Sequence, residues 1–196
     1  EGVDRHRPLR YATMATRRDQ IRMTAGELWR FADEQRTVQV ATIGRNGRPH
    51  MMPLWYFVPE AGWPDGGARA TAPPDGVDPD AVATSANAPV LHGWTFAKSQ
   101  KAVNLRRDPH ATIAIEAGTA YEELRGVTME CDVELVDDPE LVAEFGIALF
   151  TRYGPGGELS DDARAAVLAQ AAKRVALRFG PTKVVSWDHR KLGGVY

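Results

Sequence analysis

The sequence predicts a mainly β protein of the α+β class, in which antiparallel strands form a barrel decorated with helices. Short β-branched or alternating segments recur along the chain and outnumber the helical segments. An Asn-Gly pair joins two of these segments, which is a strong signal for an antiparallel hairpin. No glycine-rich turn opens a strand–helix–strand unit, and this disfavours a Rossmann fold.

Length and composition suit one globular domain. The 196 residues are 43% hydrophobic and 26% charged, which is enough for a single core. A net charge of −2 gives no electrostatic reason to expect nucleic acid or a membrane as a partner. No apolar run approaches the ~20 residues of a membrane span, and no signal-peptide pattern opens the chain. We therefore expect a cytoplasmic protein.

The first 23 residues, which are rich in arginine and poor in large apolar groups, are predicted to be a flexible arm. Because the sequence starts at Glu1 and not at Met, we also expect it to be truncated. Residues 24–196 are predicted to form a single domain. Thr24 and Glu27 have the spacing of a capping box, which predicts the start of its first helix.

A hairpin follows this helix. Thr37–Ile43 alternates and is predicted to be a strand, Asn46-Gly47 is the turn, and a second strand runs over about Arg48–Val58. Pro49 and Pro53 cannot donate to a ladder, so the second strand is predicted to lie at an edge or to carry a bulge. Since both its faces are apolar, we expect both to be buried, one by the core and the other by something else.

A long irregular loop is predicted at about residues 59–90, because Gly, Pro, Ala and Asp dominate it and Trp63 is its only aromatic residue. Loops of this length are either functional covers or disordered and passively packed segments. Both alternatives stay open at this point.

The second half of the chain predicts further strands and helices. Gly126–Val136 alternates cleanly, which places Cys131 inside as a small buried hydrophobe and not as a nucleophile. The other predicted strands are Leu91–Ala97, Ala111–Ile115, Lys173–Phe179 and Thr182–Asp188, the last two hinged at Gly180-Pro181. The other predicted helices are Ser99–Arg107, one that starts at Asp138-Pro139, and about Ser160–Ala172.

The segment Thr95–Pro109, TFAKSQKAVNLRRDP, predicts an anion site. Ser99 and Lys101 stand at the start of a short helix, where unpaired N–H groups and partial positive charge favour an anion. Taken singly, Ser99 suits a helix cap and Lys101 a solvated lysine. Arg106 and Arg107 would meet the dipole at the other end of the same helix.

Other site chemistries find little support in the sequence. The five histidines show neither an i,i+4 pair nor carboxylate–His ligand spacing, so no metal site is predicted. There is no GxSxG elbow for a serine hydrolase. The sequence identifies no catalytic acid or base.

Three segments together resemble the pyridoxamine 5′-phosphate oxidase-like flavin-binding split β-barrels, and more narrowly their flavin/deazaflavin oxidoreductase branch. They are VATIGRNGRPHMMPLW at 40–55, SQKAVNLRRDP at 99–109 and VVSWDHRKL at 184–192. The resemblance covers roughly 26–58 and 91–188, whereas the long loop departs from the short connection usual in the family. It implies a split barrel that forms a homodimer, with two equivalent cofactor sites at the interface.

The resemblance also implies roles for individual residues. Ser99 and Lys101 would bind the cofactor phosphate, with Lys98 adding charge nearby. Asn104 would either bond within its own turn or touch the cofactor. Near the ring system would lie Thr95 and Phe96, then Arg48, Pro53 and Trp55 from the hairpin, and Trp187 and Arg190 from the other subunit or from above the site.

The expected function is an oxidoreductase that uses coenzyme F420, favoured over FMN, to transfer hydride to or from a small organic substrate. The first alternative is a protein that binds or sequesters a flavin, F420 or haem without turnover. A weaker alternative is a pyridoxamine 5′-phosphate oxidase, which needs an additional basic cluster near the C-terminus for the substrate's phosphate, where Arg190 and Lys191 are present. Because a bound flavin carries the redox chemistry itself, the residues alone do not identify the substrate.

Overall fold

The computed structural model describes residues 16–65, 67–154 and 159–194. Most of the predicted N-terminal arm, residues 1–15, lies outside the described residues, and part of the remainder forms a short helix. The helices are α1 Arg17–Gln20, α2 Ala25–Glu34, α3 Gln100–Arg107, α4 Pro139–Tyr153 and α5 Asp161–Ala171. The strands are β1 Thr37–Ile43, β2 Pro49–Phe57, β3 Leu91–Phe96, β4 His110–Ala117, β5 Arg125–Val136 and β6 Arg174–Asp188.

The six strands form one closed antiparallel barrel in the order β1-β2-β3-β6-β5-β4, with β4 pairing back to β1. The helices decorate this barrel, so the predicted α+β fold of the split-barrel type is confirmed. The capping box predicted at the start of α2 is also present: the Thr24 hydroxyl accepts from the Glu27 N–H, and the Glu27 carboxylate accepts from the Thr24 N–H.

The β1–β2 hairpin forms as predicted. Its register runs from Thr37 opposite Trp55 to Ile43 opposite Pro49. Gly47 closes the turn at φ 74°, a left-handed conformation that glycine adopts without a steric cost. The hairpin therefore presents one long strand, β2, whose second edge is available to the rest of the barrel.

The barrel is split along that second edge of β2. β2 pairs with β1 over its whole length, but it pairs with β3 only at Tyr56 opposite Gly93 and Phe57 opposite His92. Pro49 and Pro53 lie on the stretch that has no second neighbour, where their missing N–H groups cost no ladder bond. The predicted edge position is therefore present over this stretch, although the last two residues of β2 pair with β3 and close the barrel.

The apolar faces of β2 are not both buried, and that prediction is wrong for the single protomer. Met51 is 61% exposed, Met52 46% and Trp55 53%. Met52 is opposite Val40, which is fully buried, so the inward-facing side of β2 is itself uncovered beside the split. Several large apolar side chains exposed together on one strand are more typical of interaction sites than of ordinary solvent-facing strands.

The two C-terminal strands predicted around Gly180-Pro181 are one strand, β6, with an irregularity at that point. The pairing with β5 changes from Glu130 opposite Lys183 to Cys131 opposite Pro181, which leaves Thr182 as an extra residue. Its hydroxyl donates to the Glu130 carbonyl at 3.0 Å. A bulge absorbs the proline without ending the strand.

Two apolar cores stabilise the fold. The larger lies inside the barrel and under α2, and includes Phe31, Leu105 and Met129. The second lies between α4, α5 and the outside of the barrel, around Phe145 and Trp94. None of the helices in the described ranges combines the length and the apolarity that a bilayer crossing requires.

The predicted long loop is irregular and packs against α2. The N–H groups of Ala25 and Gly26 donate to carbonyls of Ala81 and Pro79, and the Trp29 indole N–H donates to the Asn87 carbonyl at 2.8 Å. These bonds satisfy donors at the helix start that would otherwise lack partners. The second half of the loop is therefore part of the packed domain, in line with the passive-packing alternative.

Gly146→Ala is expected to destabilise the protein even though alanine favours helices. A Cβ at this α4 position would lie 2.6 Å from Trp94 Cζ3 and 2.7 Å from Val167 Cγ1. Overpacking of this kind costs about 1–3 kcal/mol, more than the ~1 kcal/mol gained in helix propensity. Urea unfolding should show a lower midpoint. Thr151→Ala, at an exposed position of the same helix, is the control, and equal midpoints for the two variants would contradict the prediction.

Candidate functional site

The start of α3 lies beside the split. If the β2–β3 ladder continued beyond Tyr56 and Gly93, Thr95 would face Leu54 and Ala97 would face Met52. Instead the strands part, and the chain turns at Ala97 and Lys98 into α3. The residues that the sequence assigns to phosphate binding are therefore brought to the opening of the barrel.

Ser99 is the N-cap of α3. Its hydroxyl oxygen accepts from the Ala102 N–H at 3.3 Å and lies 3.2 Å from the Thr95 hydroxyl. The structural role that the sequence allowed for Ser99 is thus present. The contact with Thr95 places this helix start against the end of β3, and a helix start is a place where an anion is stabilised.

Lys101 is the unusual residue of this segment. Its side chain is buried, with the residue only 7% exposed, and burial lowers the pKa of its ammonium group. In the described part of the chain it forms no ion pair, and its one polar contact is the Thr95 hydroxyl at 3.4 Å from Nζ. A buried ammonium without a counter-charge is costly. The interpretation of Lys101 as a solvated lysine is therefore wrong.

Asn104 has a structural role. Its amide Nδ2 donates to the Thr42 hydroxyl at 3.0 Å, and its Oδ1 accepts from Gln100 at 2.8 Å. The side chain is buried, and its bond to Thr42 ties α3 to β1, whereas the bond from Gln100 lies within α3. Of the two roles left open for Asn104, internal bonding is the one that the geometry satisfies, although its partners are side chains and not the backbone of its own turn.

Arg174, which the sequence analysis did not identify, lies beside the α3 segment. Arg174 pairs with Phe96 across β3 and β6, and its guanidinium lies 4.2 Å from the centre of the Phe96 ring and 4.4 Å from that of Trp94. Phe96 is 53% exposed, and Lys98 is exposed beside it. No local pattern reveals this contact, because it depends on the pairing of strands that are far apart in sequence.

The hairpin residues lie along β2 and not at one point. Arg48 is exposed at the turn, whereas Trp55 is seven positions further on, or roughly 23 Å of extended strand. Trp55 stacks on Tyr153 of α4, with ring centres 4.5 Å apart and planes within 5°. Pro53 is exposed between them. Arg48 and Trp55 therefore do not contact one ring system together within a protomer.

Trp187 and Arg190 lie at the far end of β6 from the start of α3. Trp187 is thirteen positions beyond Arg174, roughly 40 Å of extended strand, and its indole covers Gly126. Arg190 forms a bidentate ion pair with the buried Asp188, at 2.8 and 2.6 Å. One protomer does not bring these residues to Lys101, so only a second copy could do so.

Metal and thiol chemistry are not supported. Within the described ranges no group of three or more His, Cys, Asp or Glu side chains could hold a metal ion. Burial raises the pKa of the Cys131 thiol to about 12, which keeps it protonated and inert, in agreement with its predicted place in the core.

Comparisons with known proteins agree with this architecture. The family model described as pyridoxamine 5′-phosphate oxidase matches residues 25–188. A conserved hypothetical protein from Mycobacterium tuberculosis is 34% identical, with a TM-score of 0.70 over 92% of this chain and 94% of that one. A search of curated proteins gave no match.

Two more distant solved structures share the fold. A heme storage protein from Vibrio cholerae is 16% identical, with a TM-score of 0.52 over 80% of this chain and 89% of that one. An FAD-binding protein from Mesorhizobium loti is 14% identical, with a TM-score of 0.50 over 84% and 94%. At these identities the likeness concerns the fold alone.

Replacing Lys101 by Met is expected to stabilise the cofactor-free protein or leave its stability unchanged. The substitution removes a buried charge without a counter-charge and keeps most of the side-chain volume. Because the folded pKa of Lys101 lies below its ordinary value of 10.5, the unfolded chain binds more protons between those two values. The stability of the wild type relative to Lys101→Met should therefore rise with pH in that window.

Urea unfolding of both proteins at several pH values up to about 10 measures this difference. A large loss of stability in Lys101→Met at pH 7 would contradict the prediction, since it would mean that the ammonium group is well satisfied by the protein itself.

Proposed function

Because the chain belongs to the pyridoxamine 5′-phosphate oxidase family, we propose that it is an oxidoreductase that binds a phosphorylated flavin-type cofactor, coenzyme F420 in preference to FMN. One observation carries the proposal: Lys101 is buried at the start of α3, beside the split, and has no counter-charge in the described residues. A cofactor phosphate would provide the anion that this ammonium lacks.

The residues at the start of α3 suit a phosphate group. Ser99 and Thr95 offer hydroxyl groups, Lys101 a buried positive charge, and the helix its first N–H groups. Exposed Lys98 adds charge at the mouth of the site. The ring system would lie along the split, beside Phe96 on one side and β2 on the other.

The choice of F420 over FMN rests on the resemblance of the hairpin and the α3 segment to the deazaflavin branch. F420 carries a polyglutamyl tail, which needs basic groups beyond the phosphate site. Arg106 and Arg107 are already engaged, since they donate to the carbonyls of Ala97 and Ile43 respectively. Lys98 and Arg48, which are both exposed, are the better candidates for the tail.

A second copy of the chain would complete the site. The exposed apolar side chains of β2 continue into an outward-facing groove of about 610 Å³ across β1, β4 and β5. Burial of this surface in a homodimer would remove it from water and bring a partner's Trp187 and Arg190 towards the cofactor. The bound cofactor would supply hydride transfer, while the protein positions the substrate and excludes water.

The alternatives are less well supported. A haem site needs an axial ligand. His92 is a buried histidine whose Nδ1 has no hydrogen-bond partner among the described residues, but it is enclosed by the rings of Phe57, Trp63 and Phe145. A pyridoxamine 5′-phosphate oxidase needs basic groups near the C-terminus for its substrate. There, Arg190 is paired with Asp188 and Lys191 with Glu27.

Cofactor titration tests the proposal. Wild type should bind F420 with micromolar or better affinity and FMN more weakly, measured by quenching of tryptophan fluorescence. Lys101→Met should weaken both by roughly tenfold or more, because a charge-assisted bond to phosphate is lost. Lys173→Met, which removes an exposed lysine, is the matched control and should change affinity less than twofold.

If neither cofactor binds the wild type, the proposal fails. If both bind Lys101→Met as tightly as wild type, the family assignment stands but the phosphate lies elsewhere. A preference for FMN would overturn the choice of cofactor. Turnover assays with reduced cofactor and a panel of flat unsaturated substrates distinguish an oxidoreductase from a protein that only sequesters the cofactor.

Met51→Glu is expected to convert the proposed dimer to a monomer, because it places a charge in the centre of the exposed apolar face of β2. Leu168→Glu is the matched control, since Leu168 is a 45% exposed apolar residue on α5. Sedimentation equilibrium distinguishes the two states. A dimer that survives Met51→Glu, or a wild-type monomer at micromolar concentration, would show that this face is not the interface.

A further inference from the structure

A second cleft of about 370 Å³ lies where α2, the long loop and α4 meet. Its polar lining is dominated by three arginines, Arg36 between α2 and β1, Arg69 from the loop and Arg152 from α4, and we call it the arginine cleft. It shares no residue with the α3 segment. Nothing in the proposed oxidoreductase function requires it.

One carboxylate organises the cleft. Asp33 at the end of α2 is buried and accepts from Arg69 Nε and Nη2, at 2.8 and 2.7 Å, and from Arg152 Nη1 at 2.7 Å. Bonds from Arg69 are the main reason that the pKa of Asp33 lies below its ordinary value. Asp33 therefore remains an anion, and its single negative charge is shared between two arginines.

The cleft keeps an excess of positive charge. Asp33 is the one carboxylate that pairs with any of these three arginines in the described residues, because the neighbouring Glu34 is paired with Arg125 at 2.6 Å. Arginine side chains stay protonated at any physiological pH. Counting these three arginines and Asp33, the cleft has a local excess of about two positive charges.

The cleft also keeps unused hydrogen-bond donors. Arg152 is 5% exposed, yet its Nε has no partner in the described structure. Arg69 uses Nε and Nη2 on Asp33, and Arg36 uses Nη1 on the Arg152 carbonyl, so each has a terminal nitrogen without an acceptor among the described residues. Donors in this fork geometry match the oxygens of carboxylate and phosphate groups.

An aromatic wall borders the arginines. The Tyr153 ring lies 5.4 Å from the Arg36 guanidinium and 5.7 Å from that of Arg152, and its other neighbour is the stacked Trp55. The Tyr153 hydroxyl donates to the backbone and fixes the ring in place. Arg36 and Arg152 are therefore held against a fixed ring, which favours binding because these two side chains need little ordering.

From these observations we infer that the arginine cleft binds a small dianion, with either two carboxylates or one phosphate group. The volume suits a molecule of metabolite size. The two negative charges match the uncompensated charge of the cleft, and Arg36 and Arg69 are the residues that contact the ligand. The exposed Thr151 hydroxyl adds a neutral polar group at the rim.

Isothermal titration calorimetry with succinate and, separately, inorganic phosphate tests this inference at constant ionic strength. The full chain carrying Lys101→Met is used, so that the α3 segment does not contribute. We expect saturable binding of at least one anion. Arg36→Gln should weaken it about tenfold, through loss of one charge-assisted contact. Arg164→Gln on α5 is the matched control and should leave it unchanged.

Asp33→Asn distinguishes an anion-binding site from a cluster that only stabilises the fold. It removes the competing carboxylate, so the anion should bind more tightly even though the protein loses stability. Binding of succinate alone identifies a dicarboxylate ligand, and binding of phosphate alone identifies a phosphorylated one. Absence of saturable binding, or equal affinity in Arg36→Gln, overturns the inference whatever the outcome of the F420 and FMN titrations.

Discussion

The parting of β2 from β3 after two residue pairs is the constraint on which the remaining architecture depends. Pro49 and Pro53 leave β2 without the donors for a full second ladder, and the chain after β3 turns into α3 instead of continuing alongside. The opening is then closed by a helix and not by a strand. Leu105 enters the barrel core, and Asn104 bonds to Thr42 of β1.

A helix in this position carries a consequence for electrostatics. Ser99 and Lys101 contact Thr95 of β3, and Lys101 is buried on the same face of the helix as Ala102 and Leu105. The protein thus holds an ammonium group away from water without a carboxylate beside it. The opposite wall, β2, leaves large apolar side chains in water. Each feature is unfavourable alone, and the proposed cofactor and the proposed partner each relieve one of them.

The sequence predicted the features that depend on residues close together in the chain. The hairpin, the N-caps and the alternating β5 depend on neighbours in the chain, so strand patterns and turn residues identify them. The start of α3 after Ser99 is predictable for the same reason, since helix starts have local signals, whereas phosphate binding by Ser99 and Lys101 stays a prediction. The single β6 was predicted as two strands, because a proline pattern alone does not distinguish a bulge from a hinge.

Contacts between distant segments gave no such signal. Arg174 reaches Phe96 only through the β3–β6 pairing, and the arginine cleft combines residues from α2, the loop and α4. The exposure of β2 was predicted incorrectly because an apolar strand has the same pattern whether its cover is part of its own chain or of another. The apolar pattern of a strand shows that its faces favour burial. Only the folded structure shows which of those faces the rest of the same chain leaves exposed.

The separation of the site residues gives the assembly a thermodynamic role. Lys101 and Arg190 lie near opposite ends of β6, so a cofactor that contacts both in the proposed dimer must bridge two copies of the chain. Such a ligand binds the dimer more tightly than the monomer, and by linkage it strengthens dimerisation by the same factor. Cofactor occupancy and oligomeric state would then be one coupled equilibrium, because the proposed site draws residues from both protomers.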